Sequence, residues 1–187
     1  MTKYDPDKHH RCSIRLKGYD YSQAGLYFIT ICTQNKLCLF GGIENRDMIL
    51  NDAGQMVERQ WQELIYRFDN IRLHEFIVMP NHFHGIIEFV GVPLVGTRNT
   101  GGTYNTGIGQ PQGIAPTVGD VVGAFKSLTA NDYIQNVKQN NWQPFNQKLW
   151  QRNYYEHIIR NEKTYFEISE YIQTNPLKWQ EDKYYGS

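Results

Sequence analysis

The sequence has little cysteine and no net charge, and it has no long hydrophobic run. Cys12, Cys32 and Cys38 are its only cysteines. They are too few and too irregular for a disulfide framework, and they lack the paired CxxC spacing of a zinc site, which points to a reducing cytoplasm. No apolar run approaches the ~20 residues of a membrane span. The polar start MTKYDPDKHHR does not read as a signal peptide. Lys plus Arg number 19 and Asp plus Glu number 19. A polyanionic partner must therefore be held by local basic patches rather than by bulk charge.

Two such patches stand out. Lys3, Lys8, Arg11, Arg15 and Lys17 crowd the N-terminal arm, facing only Asp5 and Asp7. Lys148, Arg152, Arg160 and Lys163 cluster in the C-terminal third. Thirteen tyrosines raise the aromatic content to 14%. Tyrosine offers a stacking face, a hydroxyl and, occasionally, a nucleophile, but most tyrosines fill core and rim.

At 187 residues the chain is read as one domain with a basic arm over 1–20. LYFITICT at 26–33 is β-branched and aromatic, a buried strand. A polar turn region with Gly41 and Gly42 follows. NDAGQMVERQWQELIYRF predicts a helix capped by Asn51 or Asp52, with Met56, Trp61, Leu64 and Ile65 on its apolar stripe. Pro80 and Asn81 divide two apolar runs into a hairpin with strands over 71–79 and 82–90. Residues 91–117, rich in Gly and Thr, predict a long flexible loop. Helical spacing resumes through Val121, Val122, Phe125, Leu128 and Tyr133. A strand is expected from about 150 to 159. A last helix carries Phe166, Ile168 and Ile172 and ends near Pro176. This order predicts an α+β fold, a ferredoxin-like split βαβ antiparallel sheet with an added C-terminal helix.

The pattern that carries chemistry is His82-Phe83-His84 at the start of a predicted strand. Side chains at i and i+2 share a face, so both imidazoles can meet one cation while Phe83 points the other way. Such a pair needs a further protein ligand. An oxygen donor from Asp, Glu, Asn, Gln or a phosphate suits Mg²⁺ or Mn²⁺, whereas Cys or a third His favours Zn²⁺. Spacing alone leaves that choice open.

Four stretches, RCSIRLKGYDYSQAGLYFITICT, FIVMPNHFHGIIEF, VGAFKSLT and WQRNYYEHIIRN…YIQTNP, cover most of residues 11–177. In this order they resemble the insertion-sequence-200-like single-tyrosine transposases, and especially the REP-associated tyrosine transposases, within the HUH endonucleases. The resemblance implies that His82 and His84 are metal ligands and that Tyr171 is the nucleophile. It also makes Asn175, one helical turn beyond Tyr171, the third ligand; residues at i and i+4 do share a helical face.

The activity implied is cleavage and rejoining of single-stranded, hairpin-forming DNA through a 5′-phosphotyrosine, with Mg²⁺ or Mn²⁺ on the scissile phosphate. Arg11, Arg15, Lys17, Lys126 and Arg152 are the candidate phosphate contacts. His157 is a candidate for orienting a ligand, although a structural role is the commoner one for such a residue. Tyr154 and Tyr155 compete for the nucleophile's role from a predicted strand, and Glu88 shares the strand face of His84. His9, His10 and His74 are read as surface or structural. The site is open to assembly within one chain or across a homodimer, in a cytoplasmic, nucleoid-associated protein. Two other readings are an HUH relaxase or replication initiator, and a non-catalytic ferredoxin-like nucleic-acid-binding module.

Overall fold

A computed structural model describes residues 24–90 and 116–185. Arg11, Arg15, Lys17, His9, His10, the basic arm and nearly all of the 91–117 loop therefore lie outside the described residues. The elements are β1 (Gly25–Cys32), β2 (Gly41–Glu44), β3 (Asp47–Leu50), α1 (Asp52–Gln62), β4 (Ile71–Met79), β5 (His82–Phe89), α2 (Val118–Gln139), β6 (Tyr155–Ile159) and α3 (Glu162–Thr174). A 3₁₀ turn, Glu63–Tyr66, extends α1, and another, Asn175–Glu181, continues from α3. Among the described residues no helix is long and apolar enough to cross a membrane.

The four long strands form one antiparallel sheet in the order β4-β5-β1-β6. That is the α+β split βαβ layout expected, with α3 added. Alternation along the strands sorts the sheet into two faces. Tyr27, Ile29 and Ile31 of β1 and Phe83, Ile87 and Phe89 of β5 join the main core with Trp61 of α1 and Phe125 of α2. Phe28, Ile86 and Ile159 face the other way and pack with Ile172 of α3. Phe83 lies 4.5 Å from Trp61 and 5.1 Å from Phe125, centroid to centroid. Packing Phe83 into the main core commits its neighbours His82 and His84 to the α3 face. Trp61 reaches so close to the sheet that a Cβ at Gly85 would sit 2.7 Å from its Cζ2.

Local signals explain the helix starts. The Asn51 side chain accepts from the Gly54 N–H at 2.9 Å, and the Asn161 side chain caps α3 through the Thr164 N–H at 2.9 Å. Thr117 and Asp120 form a reciprocal capping box at α2.

Several expectations need correction. The turn region around Gly41 and Gly42 is a second hairpin, β2–β3, closed by Asn45 and Arg46 at φ of 51° and 71°. Two consecutive left-handed residues are what a two-residue hairpin turn requires. The strand expected from about 150 starts at Tyr155, and Trp150 makes only an isolated bridge to Thr33. Over this stretch Lys126 Nζ donates to the carbonyls of Gln151, Arg152 and Asn153 at 2.9, 3.3 and 3.3 Å, and the Gln151 N–H donates to the Cys32 carbonyl at 2.9 Å. Ile65 and Phe166, expected on apolar stripes, are 42% and 60% exposed; Ile168 and Ile172 pack in the α3 patch as expected, joined by Tyr165 and Tyr171.

Candidate active site

His82 and His84 are both fully buried, with ring centroids 4.5 Å apart. Their outer partners decide what their inner nitrogens can do. Asn81 donates its amide nitrogen to the carbonyls of Lys36 (3.1 Å) and Tyr184 (2.9 Å), which turns its Oδ1 toward His82 Nδ1 at 2.9 Å. An acceptor there assigns the proton to Nδ1 and leaves a lone pair on Nε2. That Nε2 is buried without a hydrogen-bond partner. Nδ1 of His84 is held 2.8 Å from Thr30 Oγ1, on the neighbouring strand.

The second half of the site comes from α3 and the chain beyond it. The Tyr171 hydroxyl lies 3.3 Å from His84 Nε2 and 3.5 Å from Asp182 Oδ2. Asn175 is 1% exposed; its Nδ2 donates to Asp182 Oδ2 at 3.0 Å, while its Oδ1 is buried without a partner. The Tyr184 N–H donates to Asp182 Oδ1 at 2.6 Å. His82, His84 and Asp182 each offer a ligand atom, all within 4.8 Å of one another.

Two imidazole nitrogens, a carboxylate and a stranded amide oxygen form a donor set that fits a divalent cation. A buried polar atom without a partner is costly in an otherwise satisfied interior, and this set holds two, His82 Nε2 and Asn175 Oδ1. Asp182 is not among the residues that the sequence pattern singles out. Its segment, EDKYY, has no spacing relation to the histidines, and only the path of the chain after Pro176 brings it back to them.

Burial governs the ionisation of the site. It pushes His82 down to about 4, with the Asp182 carboxylate and Asn175 partly opposing it. His84 is lowered well below its ordinary value, first by burial and then by His82 and Lys183. Both imidazoles are thus neutral and ready to donate lone pairs. Burial raises Tyr171 to about 12, helped by the charge of Asp182 and by Tyr184. Cys32, across β1 from His82, is raised to about 11 by burial and stays an unreactive thiol.

Stability should depend on pH accordingly. Each histidine has a folded-state value below the ~6.5 of the unfolded chain. The unfolded state therefore binds more protons, and stability falls as pH drops from about 6.5 toward 4. Urea midpoints measured in chelator should decline across that window in the native protein, and decline less in His82→Asn/His84→Asn. Parallel curves for the two proteins would contradict the buried, neutral pair.

The other candidates fall into place around this centre. Lys126 has its ammonium on three backbone carbonyls and 5.4 Å from the Tyr154 ring centroid, and burial lowers it to about 8. It ties α2 to the approach of β6. The Arg152 side chain is exposed. His157 stands opposite Phe28 on the α3 face of β6, and among the described residues no bond joins it to the histidine pair. Glu88 is held by His74 at 3.0 Å and Arg72 at 3.9 Å, at the far end of β5. It does not take part in the centre, and His74 has the structural role expected of it, with Tyr165 on its Nδ1 at 3.2 Å.

No family model matches the chain. An uncharacterized protein of Haemophilus influenzae (strain Rd) is 45% identical to it over 187 residues, covering 98% of each chain. Among solved structures, a REP-associated tyrosine transposase bound to a REP hairpin is similar at a TM-score of 0.52, over 88% of this chain and 74% of the other. At 18% identity, that likeness is one of fold.

Proposed function

We propose, for this chain and for the family to which it and the Haemophilus influenzae protein belong, a transposase-type activity that cuts and rejoins single-stranded, hairpin-forming DNA through a bond to Tyr171. One observation carries the reading. A tyrosine hydroxyl is aimed at a cluster of two buried histidines and a half-buried carboxylate, 3.3 Å from one of its nitrogens. A purely structural tyrosine has no need of a metal-ligand set at its hydroxyl. The fold shared with a tyrosine transposase adds support.

His82 and His84 would hold the cation through Nε2, with oxygen from Asp182 or Asn175; Mg²⁺ or Mn²⁺ suits this mixed set. When bound, such an ion neutralises the scissile phosphate and the leaving oxygen. Tyr171 Oη attacks phosphorus, the bond from phosphorus to the 3′ oxygen breaks, and that oxygen leaves, taking a proton from water to become a 3′-hydroxyl. The product is a 5′-phosphotyrosine. The phenolic proton has two acceptors in reach, His84 Nε2 and Asp182 Oδ2. With His84 acting as a ligand and Asn175 supplying the oxygen, Asp182 is the acceptor that remains. Rejoining is the reverse attack by a 3′-hydroxyl, which restores the phenol and needs no ATP. Tyr171 and His84 of the same chain already face each other, so the reading requires no second protomer.

The test is direct. A DNA hairpin with unpaired flanks, labelled at its 3′ end, is incubated with the protein and Mn²⁺ and resolved in denaturant. A labelled band at the protein's mobility, absent with EDTA, is expected. DNA binding with no such band under Mn²⁺ or Mg²⁺ would instead mark a non-catalytic binding module.

A further inference from the structure

The segment that delivers Asp182 also brings Lys183 to the mouth of the site. Lys183 is exposed, and its ammonium lies 4.8 Å from the Tyr184 ring centroid and 5.5 Å from that of Tyr155. Tyr155 opens β6, the outer strand of the sheet, and is 39% exposed. Its buried side meets Phe28 at 6.3 Å; Phe28 in turn stacks on His84 at 5.4 Å and meets Tyr171 edge-on at 6.2 Å. From solvent inward the order is Lys183, Tyr155, Phe28, then the His84–Tyr171 pair.

The charge of Lys183 is not cancelled by its sequence neighbour. Asp182 turns both oxygens inward, one to the Tyr184 N–H and one to Asn175. A cation resting on aromatic faces, rather than in an ion pair, keeps its charge for an incoming anion. Lys36 adds a second positive group, its Nζ bound to the Lys183 carbonyl at 3.0 Å. A partly exposed aromatic ring beside a cation that makes no ion pair among the described residues matches the two halves of a nucleotide, base and phosphate. Only an unstacked base can lie on Tyr155, so the match is to single-stranded rather than duplex nucleic acid.

We propose that Lys183 and Tyr155 form a subsite for the unpaired nucleotide next to the cleaved bond, with its base on the Tyr155 ring and its phosphate on the Lys183 ammonium. This rests on the preceding reading that single-stranded DNA is the substrate, and it predicts discrimination that the metal centre alone does not supply.

Fluorescence anisotropy in EDTA, where no cleavage occurs, tests it with a blunt DNA hairpin and the same hairpin bearing short unpaired flanks. The native protein should prefer the flanked DNA. Tyr155→Leu keeps an apolar side chain against Phe28 but should lose about tenfold in affinity for flanked DNA, the scale of one base stack. Its affinity for the blunt hairpin should not change, and Tyr155→Phe should bind both as the native protein does. Lys183→Ala, an exposed change that does not burden folding, should lower the slope of log K against log salt by about 0.7 on flanked DNA only. If Tyr155→Leu does not fold, Lys183→Ala carries the test alone. Variants that bind flanked DNA like the native protein, or that lose both DNAs equally, would overturn the subsite, as would a native protein indifferent to flanks. Preference for flanks without any covalent adduct would leave the subsite standing and strike the cleavage reading instead.

Discussion

Tyr171→Phe is expected to abolish the covalent protein–DNA adduct while leaving fold and hairpin binding nearly intact. The substitution removes one atom. The ring that packs with Phe28, Ile86, Ile159 and Ile172 stays. The hydrogen bonds of the hydroxyl are long, 3.3 Å to His84 Nε2 and 3.5 Å to Asp182 Oδ2. Removing them should cost no more than about 1 kcal/mol of stability. The chemical loss is of another order, because without Oη no phosphotyrosine can form. Adduct formation should fall by at least roughly 10³-fold, to whatever neighbouring groups supply.

The measurement is the denaturing gel with 3′-labelled DNA, run beside an anisotropy titration showing that binding survives. A persistent adduct would remove Tyr171 from its role. Tyr184 and Tyr155 would then be the residues to test, since both rings border the histidine pair or its Phe28 neighbour. Burial and the Asp182 charge hold the Tyr171 phenol at about 12, so adduct formation should also require added divalent cation at neutral pH.

The second large effect belongs to the metal ligands. His82→Ala should weaken Mn²⁺ binding, followed by calorimetry or by the spin-resonance signal of the free ion, by more than roughly 100-fold. Losing an outer partner of a ligand already costs about 10–100-fold, and losing the ligand itself should cost more. Asn81→Ala is the outer-partner case, because Asn81 Oδ1 fixes the His82 tautomer. The two oxygen donors can be told apart. If Asn175 is the third ligand and Asp182 the proton acceptor, Asn175→Ala weakens metal binding while Asp182→Asn slows adduct formation at saturating metal. If Asp182 is the ligand, Asp182→Asn produces both losses. Native-like Mn²⁺ affinity in His82→Ala would refute the centre altogether.

The histidine pair shows how far local pattern reaches. Alternation along β5 places His82 and His84 on one face and Phe83 on the other, and the Pro80–Asn81 turn sets where the strand begins. Helix spacing likewise sets Tyr171 one turn before Asn175, and Asn51 stands where a cap is expected. The β2–β3 hairpin is less visible, because Asn45-Arg46 lacks the glycine that usually announces a tight turn. The late start of β6 is not visible at all. There the chain is held by contacts from afar, among them Lys126, 25 residues from the first carbonyl it binds.

Local periodicity, then, determined β1 and the β4–β5 hairpin, their two faces, the HxH pair and the tyrosine helix. Each depends on the pitch of a strand or helix, which repeats within a few residues. Tertiary structure alone decided that α3 lies on the histidine face and that Asp182 returns to the cluster. It also decided that Asn81 holds the proton on His82 Nδ1 and that Lys126 reaches the carbonyls of Gln151, Arg152 and Asn153. Those pairings join residues up to 103 positions apart, as Asn81 and Tyr184 are. Their geometry depends on how packed elements route the chain, and spacing along the sequence carries no record of that route.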